Sequence, residues 1–215
     1  MTQKKSTIAA NTKKLLFHGG DKALTVENIQ FPGPRANCDF GHGFYLTENK
    51  EVAEEWIRKR KLPVVSVYEY DHNEEEQVLL KGKDWVVVVL AFRERLFDVT
   101  FSKNVIIGAI ANDDMTISIP AFMLGGIAGI GDVRLIKSLE YCKLGNQYVF
   151  KNNADGLRFI DSYELKSTDL ERAVQRHKAR RVTMNKDLLQ LRGKIFEGEK
   201  FIEDYREEGR RQYAF

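Results

Sequence analysis

The sequence predicts an α+β fold, in which helices flank a β-sheet and a helical tail follows at the C-terminus. Short apolar or alternating segments, which are typical of strands, recur with loops and helical segments through the first 165 residues. After Lys166 glycine nearly disappears, charged residues become frequent and the apolar spacing becomes helical. We therefore predict a globular domain over residues 1–165 and a charged helical extension over residues 166–215.

The composition is that of an ordinary globular protein. The chain has 215 residues, of which 43% are hydrophobic and 30% charged, so it can bury the core of one domain. A net charge of +3 is compatible with an anionic ligand or a nucleic acid but requires neither. Cys38 and Cys142 form no Cys-x-x-Cys pair and have no nearby His at zinc-finger spacing, so we expect neither a disulfide framework nor a structural zinc site. No apolar run approaches the ~20 residues of a membrane span and no signal peptide is evident, which predicts a soluble cytoplasmic protein.

The strand predictions follow from apolar or β-branched segments bounded by turn residues. Trp85–Phe92 is so apolar and β-branched that it predicts a buried strand. The full set of predicted strands is Lys13–His18, Gly43–Thr47, Pro63–Tyr70, Trp85–Phe92, Val105–Ile110, Gln147–Phe150 and Phe159–Leu165.

Helices are predicted where apolar residues recur at helical spacing. They are Lys50–Lys61, Met115–Leu124, Asp132–Tyr141, Asp169–Val182 and Glu199–Tyr213, and Asp21–Asp39 is predicted as a long surface loop because it contains two prolines and several turn formers.

Two sequence blocks carry the strongest functional signal. An apolar strand, Leu15–Gly19, ends in His-Gly, and Phe40–Thr47 follows as Phe-Gly-His-Gly-Phe-Tyr-Leu-Thr. This pair resembles the nicotinamide pocket of the ADP-ribosyltransferase superfamily, is closest to the bacterial DUF3990 group, and is more distantly similar to the poly(ADP-ribose) polymerase catalytic domain. The resemblance implies a split antiparallel β-sheet and NAD as a substrate.

The resemblance implies roles for three residues of these blocks. His18 would hydrogen-bond the nicotinamide-side ribose, the Gly19 backbone would hold the carboxamide, and Tyr45 would stack on the nicotinamide. Glycine suits such a site because a ligand can approach the backbone closely where no Cβ intervenes, and Gly43 fits the same explanation. The alternatives are a core histidine at a strand end and a tyrosine packed in the core.

Two further positions complete the implied pocket. Trp56 lies 11 residues after Tyr45, where polymerase-like members place a second aromatic, although it can equally be a core residue. Gln147, in a segment resembling the bacterial group's Gln-x-x-Phe, matches the position at which polymerases have a catalytic Glu. A glutamine can hydrogen-bond a ribose hydroxyl but cannot act as a general base, which favours transfer of a single ADP-ribose over chain elongation. A surface strand residue is the alternative for Gln147.

Other polar residues are weaker candidates. Arg35 can pair with the NAD pyrophosphate, and Asp39 can cap the glycine-rich turn or contact the adenosine ribose. The adjacent residues Asn112, Asp113 and Asp114 can orient an acceptor or act as a base, or can simply form a turn. The basic stretch from Arg172 to Arg181 is either a solvated helix face or a nucleic-acid contact.

The leading functional expectation is a mono-ADP-ribosyltransferase that cleaves NAD and modifies a macromolecular acceptor, either nucleic acid or protein. Members of the superfamily are often toxins or antiphage effectors, for which an antitoxin or a regulatory protein is the expected partner. Because the matching glutamate is missing, a catalytically inactive pseudoenzyme that binds ADP-ribose, nucleic acid or a partner protein is the alternative.

Overall fold

One seven-stranded mixed sheet with helices around it forms the framework, which confirms the predicted α+β class. The computed structural model describes residues 13–33, 38–95, 98–111, 144–192 and 213–214. Within these ranges the strands are β1 Lys13–Gly20, β2 Phe44–Thr47, β3 Val64–Asp71, β4 Gln77–Leu79, β5 Val99–Thr100, β6 Val105–Ala109, β7 Asn146–Phe150, β8 Leu157–Glu164 and β9 Tyr213–Ala214. The helices are α1 Lys50–Trp56, α2 Gly82–Glu94 and α3 Ser167–Arg192, with short 3₁₀ turns at Val26–Asn28 and Glu74–Glu76.

The strand order of the sheet is β4-β6-β7-β2-β1-β3-β8, and a separate parallel pair joins β5 to β9. Neighbours in the large sheet are antiparallel, except that β4 and β6 are parallel. Parallel neighbours need a connection that returns the chain to the same end of the sheet, and this connection is usually a helix. The α2 helix lies between β4 and β6 in the chain and serves this purpose.

The prediction of a strand at Trp85–Phe92 was therefore wrong. These residues lie within α2, and every side chain from Trp85 to Ala91 is buried. A short apolar run without polar alternation does not distinguish a buried strand from a helix that is buried all round. The Trp85 indole Nε1 donates to the carbonyl of Ala109, 2.9 Å away, which fixes the start of the helix against β6.

The two central strands, β1 and β2, are joined at one register position, Phe17 opposite Thr47. From His18 onward no further pair connects them, whereas β1 pairs with β3 along its whole length, from Lys13 to Gly20. The sheet is therefore continuous in strand order but opens between β1 and β2 on one side of the Phe17–Thr47 pair.

Both faces of β1 are covered because successive side chains point to opposite faces of the sheet. Leu16 is fully buried in an aromatic cluster with Tyr68, Tyr70 and Phe150, and residues of the 24–31 loop pack against that cluster. On the other face, Phe17 packs on a cluster that includes Ala53 and Ile57 of the α1 segment and is completed by Leu170 of α3. The opening between β1 and β2 therefore lies between a packed loop and a packed helix.

The remaining predictions fall into two groups. The strands predicted from the sequence, apart from Trp85–Phe92, are observed within about two residues, and the predicted helix at 50–61 ends earlier, at Trp56. The predicted helices Met115–Leu124 and Asp132–Tyr141 lie outside the described residues, as does Glu199–Tyr213 up to residue 212. Tyr213 itself lies in strand β9, so the helix prediction was wrong at that residue. Across the ranges that the structure describes, no helix is both long enough and apolar enough to cross a membrane.

Candidate functional site

A cleft of about 790 Å³ lies where β1 and β2 separate. Residues from the end of β1, the following loop, the start of β2, α1 and the sheet centre line it. It contains all the predicted site residues that fall within the described ranges, namely His18, Gly19, Asp39, Gly43, Tyr45, Trp56 and Gln147. The fold thus brings together side chains that are distant in the sequence.

His18 bridges the opening between the two strands. Its Nδ1 lies 2.8 Å from the carbonyl oxygen of Tyr45, at a position where backbone pairing between β1 and β2 has ended. A carbonyl oxygen only accepts hydrogen bonds, so Nδ1 must carry the proton, and Nε2 is an acceptor in the neutral ring. The ring also packs on Phe44, with 4.5 Å between ring centroids. His18 is therefore held in one orientation and one tautomer.

Tyr45 uses its hydroxyl to organise the glycine-rich turn. The hydroxyl donates to the carbonyl of Gly41, 2.7 Å away, and accepts from the backbone N–H of Phe40 at 3.0 Å. Burial raises the pKa of the Tyr45 phenol well above its usual value, so the group stays neutral and can continue to donate. The ring packs against the buried cluster that contains Phe40 and Trp85 and also lines the cleft, so core packing and cleft wall both apply to Tyr45.

Gly19 has a packing role that the sequence did not indicate. A Cβ at this position would lie 2.6 Å from the carbonyl oxygen of Ala53 and 2.7 Å from Cγ2 of Ile57. The missing side chain therefore lets the α1 segment lie directly on β1, which is a different reason from the predicted approach of a ligand. Gly43 also has a packing role, because a Cβ at this position would meet Val149 and the Phe150 carbonyl of β7.

Trp56, at the end of α1, is half-buried and lines the cleft. It also packs on a small buried cluster of Val52, Ile110 and Leu144. The two interpretations of this residue, core packing and cleft wall, therefore apply together.

Gln147 and Asp39 form a buried polar pair beneath the cleft. Their relative exposures are 2% and 4%. The Gln147 amide nitrogen donates to Oδ2 of Asp39 at 2.6 Å and to the carbonyl of Ala109 at 3.1 Å. The carboxylate also accepts from Nε of Arg93 at 2.5 Å and from the backbone N–H of Ala111 at 3.1 Å. Among the described residues Asp39 thus has three partners, namely Gln147, Arg93 and Ala111, and its predicted roles as a cap of the glycine-rich turn and as a ribose contact stay predictions.

Four basic side chains of the cleft wall were not identified from the sequence: Lys22, Arg58, Arg60 and Arg93. Arg60 pairs with Asp21 at 2.9 Å. Arg58 donates to the carbonyl of Glu55 at 2.6 Å and to Nε2 of His177 on α3 at 2.9 Å. Arg58 and Arg60 follow Trp56 within four residues, and this nearness could have indicated that they line the same cleft. Nothing in the sequence connected Arg93 with this site.

The basic stretch of the C-terminal helix is partly used for docking that helix. Arg176 contacts Glu54 at 2.5 Å, and Arg180 contacts the buried Glu55 at 3.0 Å. Burial raises the pKa of Glu55, although the nearby arginines oppose this shift. These two arginines therefore hold α3 on α1, a role that neither of the two sequence-based alternatives included. The side chain of Arg172 is 71% exposed and lies 3.6 Å from Asp169.

Arg35 and the segment Asn112, Asp113 and Asp114 lie outside the described residues, so their predicted roles stay predictions.

Comparison with known proteins identifies the family of this chain. The model of a family described as "protein of unknown function (DUF3990)" matches residues 15–181, which includes both sequence blocks, the whole described cleft and the first half of α3. No curated protein and no solved structure matches the chain.

Proposed function

The chain belongs to the DUF3990 family, and from this premise we propose that it is a mono-ADP-ribosyltransferase that cleaves NAD and transfers ADP-ribose to a macromolecular acceptor. One observation carries the proposal. His18, Tyr45 and Gln147, the three positions that the resemblance to ADP-ribosyltransferases singles out, line one cleft although they belong to three different strands.

The form of the sheet supports an ADP-ribosyltransferase-like fold within this proposal. Such a fold binds NAD between two halves of a split sheet. In this protein β1 and β2 pair only at Phe17 and Thr47, and the cleft lies beyond that pair. The strands on either side, β3 and β7, pair fully with β1 and β2 respectively, so the opening is confined to the centre of the sheet.

The size and charge of the cleft suit NAD. Small-molecule sites typically enclose about 300–1,000 Å³, and this cleft measures about 790 Å³. Its wall carries Lys22, Arg58, Arg60 and Arg93 against the carboxylates of Asp21 and Asp39, an excess of positive charge that favours the pyrophosphate. The rings of Tyr45 and Trp56 offer apolar surfaces to the nicotinamide, and a desolvated contact between a cation and a ring contributes on the order of 2 kcal/mol.

The chemistry assigned to the cleft is substitution at C1′ of the nicotinamide-side ribose. The C1′–N bond breaks with both electrons leaving on nicotinamide, a nucleophilic atom of the acceptor forms the new bond to C1′, and its proton passes to solvent. His18, held by its bond to Tyr45, orients the ribose. Oε1 of Gln147 accepts a hydrogen bond from a ribose hydroxyl, because both N–H groups of that amide are already used.

Transfer of a single unit follows from the same residue. Elongation requires a base that activates a ribose hydroxyl, and such assistance typically contributes about 10²–10⁴-fold. The amide of Gln147 is not basic enough to accept this proton. The neighbouring carboxylate of Asp39 already accepts hydrogen bonds from Arg93, from the Ala111 N–H and from the Gln147 amide. An acceptor that is already nucleophilic, such as a base amino group, a thiolate or a guanidinium, needs mainly positioning.

A non-catalytic ADP-ribose-binding or partner-binding module is the second candidate. The observation that favours it is the amide at position 147, where elongating enzymes have a carboxylate. Release of nicotinamide from NAD separates the two candidates: we expect release by the wild type and loss of release in Gln147→Ala. Gln175→Ala, on an exposed position of α3, is the matched control and should behave as the wild type. No release by the wild type, with retained ADP-ribose binding, would favour the module.

The acceptor is best sought without assumptions about its class. Labelled NAD incubated with cell extract and the protein, followed by separation into protein, RNA and DNA fractions, identifies the class that carries the label. Label in no fraction, together with nicotinamide release, would show that the protein hydrolyses NAD without transfer.

A further inference from the structure

The amide of Gln147 is held in a single orientation by its neighbours. Its nitrogen lies 2.6 Å from Oδ2 of Asp39 and 3.1 Å from the carbonyl oxygen of Ala109. A carboxylate and a carbonyl oxygen both only accept hydrogen bonds, so the amide can present only its NH₂ group to them. Rotation by 180° would place Oε1 against two acceptors. The arrangement therefore fixes Oε1 as the acceptor that the cleft side of the amide presents.

Asp39 in turn is fixed from its other side. Its Oδ1 receives Nε of Arg93 at 2.5 Å and forms an ion pair with a second nitrogen of the same guanidinium. Its Oδ2 receives the N–H of Ala111 and the amide of Gln147. These four donors fill the roughly four acceptor sites of a carboxylate. Arg93, with a side chain 22% exposed, reaches from α2 and so connects the buried pair to the wall of the cleft.

This surrounding structure is unsuitable for a carboxylate at position 147. A glutamate would bring a second negative oxygen against Oδ2 of Asp39 and against the Ala109 carbonyl. The positive side chain of Arg93 does not offset this, because it contacts the opposite oxygen of Asp39, Oδ1. Two carboxylates in contact cannot both ionise without a large cost. A glutamine fits because it supplies two donors in the positions where these two acceptors lie.

We infer that Asp39, held by Arg93, is the positioning residue of this site: it orients the Gln147 amide and makes an amide, not a carboxylate, the side chain that position 147 requires. The structural part of this inference stands on the geometry alone. Its catalytic part rests on the proposed function, because Oε1 matters for NAD cleavage only if the cleft binds NAD.

The test exchanges the two polar partners. In Gln147→Glu two carboxyl groups meet, so we expect the pKa of the introduced carboxyl to rise above the ~4.3 of an unfolded Glu. When the pKa of an acid is higher in the folded state than in the unfolded state, the free energy of unfolding falls as the pH rises from the lower pKa to the higher one. The double variant Asp39→Asn/Gln147→Glu removes the second carboxylate and restores a donor facing an acceptor, so it should reduce this loss, while burial and the Ala109 carbonyl still act on the introduced carboxyl. Gln147→Met, which lacks both the amide and the charge, is the control and should show no added pH dependence.

The first readout is thermal unfolding without NAD at pH 5 and pH 8. We expect the unfolding midpoint of Gln147→Glu, measured relative to the wild type, to be lower at pH 8 than at pH 5, and the corresponding fall for the double variant to be smaller. The inference is overturned if Gln147→Glu follows the wild type at both pH values, or if the double variant is no better than Gln147→Glu. If Gln147→Glu folds at neither pH, recovery of folding in the double variant supports the inference and failure to recover overturns it.

The second readout is nicotinamide release. Asp39→Asn should lower kcat on the order of tenfold or more with KM changed less than about threefold, since orientation of the amide matters in the transition state rather than in binding. A loss confined to KM would contradict the positioning role. If the wild type releases no nicotinamide, the proposed function fails, and the unfolding experiment still decides the structural part.

Discussion

Replacement of Gly19 by alanine tests which physical requirement makes this residue a glycine. The structure places the missing Cβ 2.6 Å from the backbone carbonyl of Ala53, and ordinary contacts begin near 3.4 Å, so strand and helix would have to separate by about 0.8 Å. The nearer obstructing atom belongs to the backbone of Ala53, and the other, Cγ2 of Ile57, belongs to a side chain that is buried in the core, so neither can move away without disturbing the packing.

The expected cost follows from this overlap. Inserting a methyl group into a closely packed interior typically costs about 1–3 kcal/mol. For a chain of this size each 1 kcal/mol corresponds to a shift of about 2–4 °C in Tm, so we expect Gly19→Ala to lower Tm by roughly 2–12 °C. Since α1 ends with Trp56 at the wall of the cleft, nicotinamide release should fall as well.

The adjacent glycine supplies the matched control. A Cβ on Gly20 would lie 3.4 Å from Nε2 of His18 and 3.5 Å from the Lys22 carbonyl, which are tolerable distances. The free energy of unfolding of Gly20→Ala should therefore lie within about 0.5 kcal/mol of the wild-type value, as it does for most substitutions that cause no steric conflict. Circular dichroism melting in the absence of NAD measures both variants. Equal Tm values for Gly19→Ala and Gly20→Ala would refute the packing explanation and restore the approach of a ligand as the reason for Gly19.

Four further outcomes are expected. Tyr45→Phe should keep the ring contact and retain more NAD binding, measured by calorimetry, than Tyr45→Ala, but should lose about 1 kcal/mol of stability because the turn loses its hydroxyl partner; equal binding losses would show that the hydroxyl is the working group. Burial lowers the pKa of Lys151 from 10.5 to about 8, so between these pH values the folded state has lost this proton while the unfolded state still holds it. The free energy of unfolding should therefore rise between about pH 8 and 10.5 relative to that of Lys151→Met. The same dependence of the free energy of unfolding on pH in the two proteins would contradict this. Arg180→Ala should destabilise the protein by about 1–3 kcal/mol in urea unfolding because Glu55 stays buried, whereas Arg172→Ala should change it by less than about 0.5 kcal/mol; equal effects would argue against docking of α3 through Glu55. Mass spectrometry of the modified acceptor should show one ADP-ribose per site, and ladders of repeated units would overturn the assignment of Gln147.

The sequence predicted those parts of the fold in which local pattern and burial agree. Leu15–Gly19 and Phe44–Thr47 alternate between the two faces of a sheet, and both form strands that border the cleft. The pattern was insufficient at Trp85–Phe92, because an unbroken apolar run reports burial and not backbone period. There the helix follows from the tertiary structure, since β4 and β6 are parallel and need a crossover between them.

What the sequence by itself determined about this site is the identity of several residues that line it: His18 and Tyr45 stand in a recognisable local pattern, and Gln147 in a short strand motif. What only the tertiary structure decided is how they are held. Asp39 and Arg93 meet Gln147 from a loop and from a helix distant in the chain, and Arg58 reaches His177 on α3. Contacts of this kind depend on which elements pack together, and no local periodicity encodes that. The reason that Gly19 is a glycine is likewise found on a helix more than thirty residues later, in the carbonyl oxygen of Ala53.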